Sequence, residues 1–378
     1  MLSSGTLFSP VTLGSLNLKH RVVMPPMSRL RAHWPSGNPS DLMREHYTQR
    51  ASEGGLVIAE GTAISPAARP YHTAPGIWSD SQVERWKAIT RQMHAKGSLV
   101  VLQLYHAGRA TSTANSGVEP VSASVNPAFW QNPNVVVSTI DGLTLPSPHR
   151  ELAIEEIEEI VDQFHAAAVN AKRAGFDGIE ILAGQGHLVE QFLHDSSNTR
   201  VDAYGGSFEN RERFLMEVLE AVIPVWGPGR VAVRISPSST FNGMGDSDPR
   251  GLYRHLAVAL NRFELAYLSV IEPRISGSDT VDNEQPPVAT AELRALYRGA
   301  IIAGGGFTPE SAERAVSEGL ADAVAIGRHF TSNPDLPQRV QYGLPLTHYE
   351  RETFYAFDSA GYTDFCTYDA LDSAVAAA

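Results

Sequence analysis

Eight short runs of β-branched and aliphatic residues recur along the chain, at 21–27, 56–64, 98–105, 177–183, 230–237, 265–272, 300–306 and 321–327. Each is apolar almost throughout, the pattern of a strand covered on both faces of a parallel sheet. Helical stretches separate them. Leu152, Ile154, Ile157, Ile160, Val161, Phe164 and Ala168 recur at helical spacing, with glutamates between, and Phe214, Val218, Leu219 and Val222 repeat the pattern behind Ser207, an expected N-cap. Thr308-Pro309 reads as the N-cap and first residue of a further helix. Right-handed β-α-β crossovers repeated eight times close a sheet on itself. The expected fold is therefore α/β, a single (β/α)8 TIM barrel spanning residues 1–378.

At 378 residues the chain exceeds the ~250 of a typical barrel, and the surplus has identifiable places. Residues 1–20 are expected to plug the barrel bottom as a small hairpin. Residues 107–149, rich in Pro, Ser and Asn, form an insertion after strand three, and 343–378 form a C-terminal tail near the active site. Composition then narrows the function. Thirty Lys plus Arg against forty-two Asp plus Glu leave a net charge of −12, and no basic run offers a nucleic acid or an anionic membrane a surface. One cysteine, Cys366, excludes an internal disulfide or a multi-thiolate metal site. With no apolar run near eighteen residues and no signal-like start, a cytoplasmic protein, monomer or homodimer, is expected. No metal is expected, because the thirteen histidines never stand at paired ligand spacing with a carboxylate.

In such barrels the chemistry sits at the C-terminal ends of the strands. That directs attention to Pro26, Met27 and Ser28 after strand one, Gly61 on strand two, Gln103 and Tyr105 on strand three, Leu182, Gln185 and His187 after strand four, and Arg234 on strand five. Gly305 and Gly306 after strand seven and Gly327-Arg328 after strand eight form Gly-rich turns whose N–H groups suit a phosphate. Arg234 interrupts an apolar strand and needs a strongly accepting partner. A ring that becomes anionic on reduction is one candidate; a buried Asp or Glu is the other. The carboxamide of Gln103 can donate and accept in parallel against a heterocycle edge, or be a core amide bonded to backbone.

Ordered motifs then carry a resemblance. Residues 21–29 (RVVMPPMSR), Glu60-Gly61, 74–78 (APGIW), 103–109 (QLYHAGR), 195–214 (DSSNTRVDAYGGSFENRERF), 233–237 (VRISP), Gly327-Arg328, 333–336 (NPDL), 353–355 (TFY) and 361–364 (GYTD) resemble the Old Yellow Enzyme family of FMN-dependent ene-reductases. The resemblance implies bound FMN, with NADPH or NADH as reductant and a small unsaturated molecule as substrate. By the resemblance, Pro26, Met27 and Ser28 line the flavin ring, Gly61 and Gln103 bond its pyrimidine edge, Arg234 faces N1 and O2, and Gly305, Gly306, Gly327 and Arg328 hold the phosphate. Tyr71, Tyr105, Phe354 and Tyr355 would wall the substrate pocket.

After strand four the chain departs from that family. Where the family shows His-x-x-Asn or His-x-x-His, then Tyr two residues on, this chain has Leu182, Gln185 and His187. One donor to the substrate's oxygen is lost. Gln185 can still donate, and His187, with an ordinary imidazole pKa of about 6.5, is a candidate general acid or base. The expected activity is reduction of an activated C=C bond by NAD(P)H through FMN. Two alternatives remain: a redox-neutral or oxidative flavoenzyme, such as an isomerase or dehydrogenase, and an FMN-binding scaffold whose catalytic donors have drifted.

Overall fold

The structure is a computed structural model that describes residues 5–277, 279–281 and 288–369. Residues 1–4 of the expected plug, part of the 274–288 loop and 370–378 of the tail lie outside the described residues. Eight parallel strands close into a barrel: β1 (Val22–Met24), β2 (Leu56–Ala63), β3 (Leu99–Tyr105), β4 (Gly178–Ala183), β5 (Val231–Ile235), β6 (Leu268–Ile271), β7 (Ile301–Gly304) and β8 (Ala323–Ala325). Each pairs with its successor, and β8 pairs with β1 through Val324–Val22 and Ala325–Val23. All eight expected runs are barrel strands. The first is shorter than its apolar run because Pro25 and Pro26 have no N–H to extend the ladder.

Helices follow the strands: α1 (Asp41–Arg50), α2 (Asp80–Ala95), α3 (Ile154–Arg173), α4 (Phe208–Trp226), α5 (Pro249–Ala259), α6 (Thr290–Arg294), α7 (Pro309–Ser317) and α8 (Leu336–Tyr342). Five of these starts, those of α1, α2, α4, α5 and α7, are capped by the side chain of the N-cap residue. Ser207 accepts from the Asn210 N–H, and Thr308 accepts from the Ser311 N–H behind Pro309, so orphan N–H groups of the first turn are satisfied.

Side chains alternate along each strand. Val22, Val57, Val100, Ile179, Val231 and Val324 face the helices in one large cluster. Val23, Leu56, Ile58, Val101, Ala232, Tyr267 and Ile302 face inward in another. That inner cluster includes Leu13, Leu16 and Leu18, from an antiparallel hairpin of Val11–Leu13 with Leu16–Leu18. The hairpin leucines thus pack against the lower rung of the barrel, so polar side chains on the upper rungs are left for the opposite mouth.

Candidate active site

Above the apolar rung the inward residues turn polar. Gln103 on β3 stands in register with Glu180 on β4, and Leu182 on β4 with Arg234 on β5. Gln103 Nε2 donates to Glu180 Oε1 at 2.7 Å, and Arg234 Nη1 donates to Ser269 Oγ on β6 at 3.2 Å. Glu180 has no exposure, and burial raises its pKa while Arg234 opposes the rise. A buried carboxylate therefore stands near enough to Arg234 to be felt electrostatically, while the hydrogen bond that the Arg234 guanidinium makes goes to Ser269. That guanidinium nevertheless stays half-buried, as a group at the floor of a hollow does.

Gly61 owes its place to a bulge. The β2–β3 register slips between Ala59 and Thr62, and bulges beside functional sites re-aim side chains. Glu60 is thereby sent to α1 and the loop after β1, where it accepts from the Tyr47 hydroxyl at 3.1 Å and the Arg29 N–H at 3.2 Å; burial pushes its pKa up to about 7. A Cβ on Gly61 would stand 3.1 Å from the Tyr105 ring and 3.3 Å from Gln103 Oε1. The bare backbone at 61 thus leaves room beside the Gln103 carbonyl oxygen.

The phosphate candidates lie on neighbouring strands, since Gly304 of β7 pairs with Ala325 of β8. Gly305 and Gly306 have φ of +107° and +68°, conformations other residues rarely adopt. A Cβ on Gly327 would meet Met27 Sδ and Pro25 Cγ at 3.2 Å, which brings the end of β1 against the same turn. Arg328 donates to Thr280 Oγ1. Arg274 lies over Gly306, its Nε 3.0 Å from where a Cβ there would stand, and adds a cation that the sequence reading missed.

The loop after β4 is tied down at almost every polar group. Gln185, at φ +58°, donates its N–H to Ser236 Oγ at 2.8 Å and accepts at its backbone oxygen from Asn242 Nδ2 at 3.0 Å. The Gly186 N–H donates to Glu190 Oε2, and Ser236 donates to the same carboxylate at 2.7 Å. Left-handed backbone at a non-glycine residue costs roughly 1–2 kcal/mol, and these bonds hold it. The Gly277 N–H donates to Gln185 Oε1 at 3.2 Å, so Nε2 is a buried donor with no partner among the described residues. His187 Nδ1 lies 3.3 Å from the Gly184 carbonyl oxygen. Burial lowers its pKa to about 4, so the ring is neutral at pH 7. Its ring meets that of Tyr105 edge-to-face, at 5.2 Å between centroids. The Tyr105 hydroxyl is also buried without a partner among the described residues.

The tail reaches back to the start of the barrel. Arg29 and Arg31 donate to the carbonyl oxygens of Thr353, Phe354, Asp358, Ala360 and Gly361, and His46 stacks on Tyr362 at 3.8 Å. Tyr355 is half-exposed and interacts with Tyr71. Phe354, whose carbonyl is among those the clamp grips, packs its ring against Arg29 and Tyr349. Ser28 is half-buried at the end of β1 beside Pro26 and Met27.

Known proteins share this fold. Residues 6–347 match the model of the NADH:flavin oxidoreductase / NADH oxidase family. The chain belongs to the Old Yellow Enzyme family. Among relatives of this flavoenzyme, 12-oxophytodienoate reductase 2 of Arabidopsis thaliana is 40% identical over 366 residues, covering 95% of each chain. Flavin oxidoreductase hxnT of Emericella nidulans is 40% identical over 382 residues, 95% of this chain and 97% of that one. Morphinone reductase superposes with a TM-score of 0.88 at 39% identity over 97% of both chains. The old yellow enzyme homologue from Zymomonas mobilis gives 0.89 at 38% identity, over 96% of this chain and 99% of that one. The Old Yellow Enzyme chain described here is thus an FMN-dependent oxidoreductase that takes electrons from NAD(P)H and reduces activated C=C bonds.

The residues present fit FMN. Gly61 and Gly327 leave clearance that a Cβ would fill, the Gln103 carbonyl oxygen and the half-buried Arg234 stand on the upper rungs of one barrel, and three positive-φ or unsubstituted glycines end the two strands expected to hold the phosphate. Sequence reasoning missed Glu180, Glu190, Ser236, Gly277 and Arg274. For Glu180 a signal existed, a lone carboxylate in an apolar strand, the same oddity that singled out Arg234.

Proposed function

We propose that this ene-reductase binds the oxygen of its unsaturated substrate through Gln185 Nε2 alone among the strand-four side chains, with Leu182 supplying only apolar surface. The observation that carries this is the carboxamide itself: its oxygen is occupied by the Gly277 N–H, which leaves a buried, unpartnered donor. A buried donor gains most from an acceptor on which charge develops during reaction. Bound FMN supplies the hydride, replenished by NAD(P)H. Pro26, Met27 and Ser28 would flank its ring, Gly61, Gln103 and Arg234 its pyrimidine edge, and Gly305, Gly306, Gly327 and Arg328 its phosphate.

Tyr105 is the candidate proton donor to the carbon next to the hydride acceptor. Burial raises its pKa, so it keeps its proton at every working pH, and its hydroxyl is otherwise unused. His187 is a poor acid at pH 7, being neutral there, with Nδ1 turned to the Gly184 carbonyl, which can only accept. Tyr71 and Tyr355 would close the pocket. An imidazole that is neutral at pH 7 favours a second reading, removal of a proton from substrate in a redox-neutral isomerisation. A single cysteine supports a reducing, cytoplasmic setting.

Anaerobic titration of the FMN-loaded enzyme with simple phenols tests the proposal. With one strand-four donor, long-wavelength phenolate complexes are expected to be weak. A strong band would contradict the role given to Leu182. One NAD(P)H oxidised per enone consumed supports reduction, whereas product without NAD(P)H consumption supports isomerisation.

A further inference from the structure

The carboxylate of Glu180 has no place in the roles assigned so far, yet it bonds to one of the residues that have them, Gln103, and stands two residues below the β4 position paired with another, Arg234. It is fully buried on an inward-facing position of β4, in register with Gln103. No solvent screens it, and ionised groups are retained in such positions only when something compensates them. Two neighbours do. Gln103 Nε2 donates to Oε1 at 2.7 Å, and the Arg234 guanidinium interacts with the carboxylate electrostatically. The phenol of Tyr267, the residue just before β6, is also pushed up by burial and by Glu180.

The bond to Gln103 settles which end of that carboxamide looks where. A carboxylate can only accept, so the Gln103 NH2 group is turned to Glu180. The carbonyl oxygen then lies on the Gly61 side, 3.3 Å from where a Cβ at 61 would stand. The site thus presents an acceptor, matched to a ring N–H, instead of a second donor. The charge of Glu180, on the strand next to Arg234 and one inward position below it, has a separate effect. A guanidinium beneath a ring favours added negative charge on that ring, and a carboxylate behind the guanidinium offsets part of the pull.

We propose that Glu180 is a positioning residue of the flavin site with two functions: it locks the Gln103 carboxamide with its oxygen toward the pyrimidine edge, and it tempers Arg234 so that reduced flavin is held less tightly. The proposal rests on the FMN assignment. It predicts that the two functions separate in two variants. Glu180→Gln keeps an oxygen for Gln103 but removes the charge. Glu180→Asp keeps the charge but withdraws it by one methylene from Gln103.

The experiment measures the two-electron midpoint potential of bound FMN against a reference dye at pH 8, and FMN affinity by fluorescence titration, for the wild type and both variants. Glu180→Gln is expected to shift the dye equilibrium about tenfold toward reduced flavin, equivalent to about +30 mV for a two-electron couple, with affinity near wild type. Glu180→Asp is expected to weaken FMN binding about tenfold with the potential near wild type. A potential unchanged in Glu180→Gln overturns the charge role, and an affinity unchanged in Glu180→Asp overturns the orienting role. A purely structural carboxylate would lower thermal stability in both variants and leave the potential alone. Should Glu180→Gln fail to fold, a Glu180→Asp potential that moves as far as its affinity refutes the separation. Wild type that takes up no FMN overturns the site assignment itself; wild type that binds FMN while both variants match it overturns only the role of Glu180.

Discussion

Acid should unfold this enzyme well above the pH at which carboxylates titrate, because its buried imidazoles have no room for a proton. His20, His149, His187 and His194 are held down to about 4 and His106 to about 3, each mainly by burial, and all five are at most 8% exposed. In the unfolded chain the same rings titrate near 6.5. A group with a depressed folded-state pKa contributes stability that is complete above its unfolded value and disappears as pH falls through the folded one. The window for these rings is therefore pH 6.5 down to about 4. Glu60 and Glu190 act oppositely: burial pushes both up to about 7, so their contribution is complete below the unfolded value and lost as pH rises to 7.

At pH 5.5 each unfolded imidazole is about nine-tenths protonated and each folded one nearly bare, whereas the two glutamates carry protons chiefly when folded. Unfolding then takes up about 2–3 protons net, a slope of about 3–4 kcal/mol per pH unit. Two pH units then remove about 5–8 kcal/mol, a large share of a total stability of about 5–15 kcal/mol. Urea midpoints followed by far-ultraviolet circular dichroism at pH 7, 6 and 5 check this. A midpoint that stays level from pH 7 to 5 would refute the reasoning.

Three further outcomes follow from the site. Gln185→Leu should lower kcat/KM for an enone by about 10²–10³, the usual loss of a donor to developing negative charge, while FMN content stays at wild-type level; equal steady-state rates would remove Gln185 from the reaction. Gly61→Ala puts a methyl 3.1 Å from the Tyr105 ring and 3.3 Å from Gln103 Oε1, so fluorescence titration should show weakened FMN binding, and undiminished affinity would count against ligand lying there. Arg31→Met deletes the donors to Thr353, Asp358 and Ala360, so limited proteolysis should nick residues 350–364 faster than in wild type; equal nicking would mean that the clamp does not hold the tail.

The barrel was legible because its signal is local. A strand buried on both faces is apolar in every residue, and each of the eight runs carries that mark without reference to the others. The cofactor candidates followed from the same pattern, as polar or glycine residues at strand ends that would otherwise be apolar. What stayed hidden depends on register and on backbone irregularity. The pairing of Glu180 with Gln103 exists only because β3 and β4 align those two residues. Glu60 reaches Tyr47 and the Arg29 N–H only because a bulge interrupts β2. The grip of Ser236 and Glu190 on the 184–187 loop joins β5 to a segment some fifty positions away.

The reach of residues 353–364 back to the end of β1 has a bearing on synthesis. A nascent chain can seal its cylinder once β8 has left the ribosome, yet one side of the entrance is absent until these later residues arrive. For that interval the newborn enzyme has a finished frame and an open doorway, through which flavin can enter before Tyr355 comes to rest beside Tyr71.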